Sequence, residues 1–114
     1  METRHLRRLL QGPTQCESDI ESLILILEAA IELVSIPDND FCWSSWADEL
    51  DAKTELQALI HTLKAGTLPE RLKVAVLFAP TGPLQELGMS SGWADTCLRV
   101  AGKFDDVEAL LWRG

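Results

Sequence analysis

Residues 18–36 read SDIESLILILEAAIELVSI, a longer apolar run than any other in the chain. Placed at about 100° per residue, Glu17, Glu21, Glu28, Glu32 and Ser35 fall into one strip only about 60° wide. Ile20, Leu23, Ile24, Leu27, Ile31 and Val34 cover one side of the remaining circumference, and Leu25, Ile26, Ala29, Ala30 and Leu33 cover the rest. A surface helix normally shows an apolar stripe, whereas this one shows a polar stripe, so other parts of the protein must wrap most of it. Ser18 followed by Glu21 fits a capping box at its start. Pro37 ends it, because proline disfavours helical geometry in Ile36 and cannot extend the ladder. Glu28 and Glu32 interrupt the run well short of the roughly 18 apolar residues a membrane span needs. The pattern therefore predicts the pillar of a helical bundle.

Outward from this pillar, the same periodicity predicts three further long helices, near 44–65, 69–79 and 91–112. The first has Ser44 or Ser45 as its cap, Asp48 and Glu49 in its first turn, and Trp46, Leu50, Leu56, Leu59, Ile60 and Leu63 facing inward. Pro69 opens the second at its first position. LKVAVLFA within it would also suit a buried strand, but the chain offers no second strand to pair with it. The last begins at Ser90 or Ser91, with Gly102 and Asp105-Asp106 able to bend or split it. Residues 80–93, PTGPLQELGMSSGW, read as a folded connector with one helical turn, LQEL, that Gly88 stops and Leu84, Leu87 and Met89 pin down. A short helix, TRHLRRLLQ, precedes them all and is stopped by Gly12-Pro13. It is either a packing helix whose arginines face the acidic body or a loosely attached terminus. Ser44-Ser45-Trp46-Ala47-Asp48 also echoes Ser90-Ser91-Gly92-Trp93-Ala94-Asp95, as if two helix-loop-helix halves were paired. The fold class is all-α, a single compact domain over 1–114.

Charge narrows the function. The 114 residues carry a net charge of −8, while Arg4, Arg7 and Arg8 concentrate basic charge at the N-terminus. This balance argues against nucleic-acid phosphates, which require clustered Lys and Arg, and favours a partner with a basic surface. Cys16, Cys42 and Cys97 are odd in number and lack a CxxC spacing, and no signal peptide opens the chain, so a reducing cytoplasm is the expected compartment. Cys97 reads as an inert buried thiol.

Motifs for chemistry are thin. GxSxG, HExxH and phosphate-binding glycine patterns are missing, and His61 has no second ligand at metal spacing. In the loop PDNDFCWSS, a calcium reading from Asp38 finds Asp40 and Glu49 in place, but Cys42 and Trp43 stand where an oxygen ligand and a glycine are needed. Asp38 and Asn39 close a turn instead, with Phe41, Trp43 and Trp46 anchoring it. No cofactor is expected. Most informative are the like-charged pairs Glu17/Glu21 and Glu28/Glu32, each costing about 0.2–0.5 kcal/mol at i,i+4. Either the N-terminal arginines fold back onto them or a partner's basic surface answers them. The leading expectation is a small acidic binding protein of immunity or inhibitor type, not an enzyme, contacting its partner through Glu17, Glu21, Glu28, Glu32, Asp38 and Asp40. The alternative is a small-ligand or enzymatic domain in which the 37–46 and 80–93 loops form a pocket with Asp38, Asp40, Cys42 and Trp93. A homodimer joined by an apolar patch is a third reading.

Overall fold

A computed structural model describes residues 3–11 and 18–112. Among these residues the fold is all-helical: α1 (Arg4–Leu10), α2 (Asp19–Val34), α3 (Glu49–Lys64), α4 (Arg71–Phe78), α5 (Pro83–Ser91) and α6 (Ala94–Leu111), with a 3-10 turn at Phe41–Trp43. None of these helices is long and apolar enough to cross a membrane.

α2 is the pillar. Ser18 is extended and its hydroxyl accepts the Glu21 N–H, as the capping box requires. Leu23, Leu25, Ile26, Leu27, Ala29, Ala30, Leu33 and Val34 are buried and Ile20, Ile24 and Ile31 half-buried, so most of its apolar surface is covered. α1, α3 and α6 pack along it and α5 touches it, whereas α4 rests on α5 and α6. Near the far end of α6, Phe104 stacks on Phe78 of α4 with ring centroids 4.7 Å apart. Trp112 lies 6.5 Å from Phe104 and its indole N–H donates to the Pro69 carbonyl. α6 buries Cys97, Val100, Phe104 and Val107, which share one face at helical spacing, and it runs unbroken through Gly102, Asp105 and Asp106.

Several boundaries differ from the sequence expectation, each for a local reason. α3 starts at Glu49 rather than at Ser44 or Ser45, because Asp48 and Asp51 cap it reciprocally. Asp48 Oδ1 accepts the Asp51 N–H at 2.8 Å, and Asp51 Oδ2 accepts the Ala47 N–H at 2.9 Å. Pro69 precedes the cap of α4, Glu70, instead of opening the helix. The supposed connector holds the nine-residue helix α5, with Pro83 at its start. Gly88 does not stop it. That glycine stays inside the helix because the Trp93 ring lies over it, where an added Cβ would meet Cε3 at 3.0 Å. The stop comes at Gly92, whose φ of +91° is left-handed, while the Gly92 and Trp93 N–H groups both donate to the Gly88 carbonyl. Ser90 and Ser91 are thus the last residues of α5, not caps of α6, and the two-half echo dissolves. Leu50, Met89 and Trp43, expected to face inward, are exposed, whereas Trp46 is buried.

Candidate functional site

The Glu28–Glu32 part of the acidic strip of α2 is covered by α1. Glu32 is only 6% exposed. Its Oε2 accepts the backbone N–H of His5 at 3.0 Å and lies 2.7 Å from the ring Nδ1 of the same residue, while Oε1 accepts the Leu6 N–H at 2.7 Å. His5 and Leu6 are the second and third residues of α1, where an N-cap side chain would ordinarily bond. Thr3 makes no such bond, so a carboxylate from another helix caps α1 in its place. The other ring nitrogen of His5, Nε2, contacts Glu28 Oε2. Carboxylate oxygens only accept, so both ring contacts act as hydrogen bonds together only when the imidazole carries two protons.

The opposite end of α1 is treated in the opposite sense. Arg99 of α6 donates from Nη2 to the Leu10 carbonyl at 3.3 Å. An anion thus sits at the positive end of the helix and a cation at the negative end. Between them Leu9 is fully buried, with Leu6 and Leu10 packed partly against the core. Beside the seat, a cleft of about 450 Å³ is lined by His5, Glu28, Ile31, Glu32, Ser35, Pro37 and Lys53. A second depression brings Arg8, Glu21 and Glu28 together with Lys64.

Comparison with protein-family models, with curated proteins and with solved structures finds no match for the chain.

Part of the strip, expected to meet either the N-terminal arginines or a partner's basic surface, is the seat of an internal helix. Glu32 is buried and Glu28 half-buried, Glu21 lies at the surface, and Glu17 falls outside the described residues. Asp38, with a left-handed φ of 69°, is exposed in the turn after α2. Asp40 is half-buried and caps the 3-10 turn by accepting the Cys42 N–H at 3.0 Å. His5 and Arg99, the residues that fasten α1, had no distinctive signal. The nearest clue was an acidic pair on α2 with no lysine or arginine between its members.

The 37–46 and 80–93 segments do meet at one end of the bundle, but their polar groups bond to each other. Ser91 Oγ accepts the Asp40 N–H at 2.9 Å, and Ser90 Oγ donates to the Asp40 carbonyl at 2.7 Å. Asn39 donates to the Leu33 carbonyl at the end of α2 and accepts the Trp93 indole N–H, both at 2.9 Å. Ser44 donates to the Pro83 carbonyl, and Ser45 bonds Glu86. Cys42 is exposed, and the Asp40 carboxylate, first by hydrogen bonding and then by charge, raises its thiol pKa. Burial pushes the Cys97 thiol up to about 11, which keeps it protonated and inert near neutral pH. Among the described residues no group of three or more His, Cys, Asp or Glu side chains is arranged to hold a metal ion.

Proposed function

We propose that this chain is a small acidic protein-binding module of immunity or inhibitor type, working in the cytoplasm by occupying a basic surface on another protein. One observation carries the reading. With Glu32 committed to α1, residues 38–55, from the turn after α2 into α3, still carry Asp38, Asp40, Asp48, Glu49, Asp51 and Glu55 against the single cation Lys53. All of these carboxylate residues except Asp40 are exposed. Lys53 pairs with Glu49 only at 3.4 Å on the surface, which leaves the segment strongly negative. Such a segment speeds encounter with a cationic partner and makes the association salt-sensitive.

The test is capture from source cells on the immobilised full chain, with bound proteins identified by mass spectrometry. A basic protein released by raised salt is expected. The double variant Asp38→Asn, Glu49→Lys should retain at least about tenfold less of it with unchanged helicity, since clustered charge acts mainly on association rate. Equal retention by the variant, insensitive to salt, would overturn the reading.

A further inference from the structure

The seat of α1 has the attributes of a binding groove for a helix, with the chain's own first helix as its present occupant. Glu32 and Arg99 hold the two ends of α1 through backbone groups, Leu6 and His5 N–H on one side and the Leu10 carbonyl on the other. Backbone recognition of this kind fixes the direction of a helix and tolerates many sequences. The enclosed Leu9, the flanking Leu6 and Leu10, and the His5 ring between Glu28 and Glu32 add side-chain selection.

α1 is also a separable occupant. At seven residues it is far below the roughly 12–15 at which an isolated helix is even marginal, so its helical form depends on the seat. Leu9 is the one residue α1 buries, and a short segment so shallowly packed belongs to the least stable part of a fold, which opens locally before the rest.

We infer that the α2–α6 face beneath α1 is an exchangeable docking groove for a basic amphipathic helix of a partner protein, and that α1 occupies it in the free chain. The inference rests on the protein-binding reading above and names the class of partner. Charge selects among occupants. Residues 3–11 carry Arg4, Arg7 and Arg8 and no acidic residue, in a chain whose net charge is −8. A basic helix from another protein is therefore attracted, whereas a second copy of this acidic chain is repelled. Displacement frees α1 and turns the groove from an internal contact into an interface.

The probe is a fluorescent peptide of residues 3–11, TRHLRRLLQ, capped at both ends and titrated into the full-length chain. In the unmodified protein the tethered α1 competes at an effective concentration on the order of millimolar, so uptake should be weak. Leu9→Asp disables the resident helix without altering the groove, and it should tighten peptide binding at least about tenfold. Adding Glu32→Gln to that variant should remove the gain. His5→Ala, a milder lesion that keeps Leu9, gives a second route to an opened groove should Leu9→Asp lose helicity. A folded variant of either kind that takes up no peptide would overturn the proposal. So would sedimentation showing that the chain dimerises by exchanging α1, since the occupant would then be a second copy. Because this assay uses only the chain and a synthetic peptide, its failure leaves the capture experiment on the Asp38–Glu55 segment unaffected.

Discussion

Two polar fastenings tie distant parts of this chain together, and they are built on different physics. At the α1 seat the bonds run over 26 and 27 residues of sequence and centre on a buried carboxylate that serves a single short helix. At the other fastening, side-chain amides and hydroxyls of residues 39–45 and 90–93 interlock with each other and with the end of α2. There the joined parts are all anchored in the core as well, through Trp46, Leu84 and Leu87. The contrast teaches that the same kind of hydrogen bond has local consequences where one partner can leave into water and global ones where neither can.

The largest break is expected on the integral side, at Gly82, the residue before α5. An added Cβ there would lie 2.0 Å from the Val76 carbonyl oxygen and 3.1 Å from that of Ala79, both backbone atoms that no rotamer change can move. Gly82→Ala must shift α5 against α4 and should cost about 3 kcal/mol or more in denaturant unfolding, monitored at 222 nm. An unchanged midpoint would show that this turn relaxes freely and that the α4–α5 junction is not rigid.

A smaller global loss is expected from Asn39→Ala. It leaves the Trp93 indole N–H without its partner and takes one donor from the Leu33 carbonyl, which still accepts the Ile36 N–H. With about 1–3 kcal/mol for a polar group left unpaired, the loss should be about 1–3 kcal/mol, and Trp93 fluorescence should change with it. If Asn39→Ala melted only the loop, leaving α2 amide protection intact, the two fastenings would no longer differ in kind.

The difference also explains what could be read in advance. The pillar was legible because eleven apolar and five acidic or hydroxyl-bearing positions of one continuous stretch obey a single period, and a period needs no knowledge of neighbours. Helix starts and stops were less so. Asp48 and Asp51 displaced the serines as a cap by a reciprocal arrangement, and Gly88 was released from its usual role by a tryptophan five residues later. Such outcomes depend on competing local partners. The site was least legible of all. The acidic strip was visible on the helical wheel, but its partner His5 lies 27 positions before Glu32, and Arg99, which holds the other end of α1, lies 67 after it on the chain. Nothing in local periodicity reports that a histidine ring and two backbone N–H groups meet Glu32.

Glu32→Ala sharpens the comparison with the smallest global effect of the three. In a rigid assembly, deleting a buried carboxylate would leave the His5 and Leu6 N–H groups unsatisfied at the full desolvation cost. Here α1 has an escape, because unseating places those groups in water. The global loss is therefore capped at whatever free energy seats α1, and it should be smaller than that of Asn39→Ala. Hydrogen exchange separates the two cases. Amides of residues 5–10 should exchange at nearly unstructured rates, since an unseated seven-residue helix has too few turns to persist. Those of Leu25–Leu33 should keep their protection, because α3 still covers the other flank of α2. If protection of α2 fell in step with that of α1, the first helix would be part of the core rather than a tenant of it, and the distinction between the two fastenings would collapse.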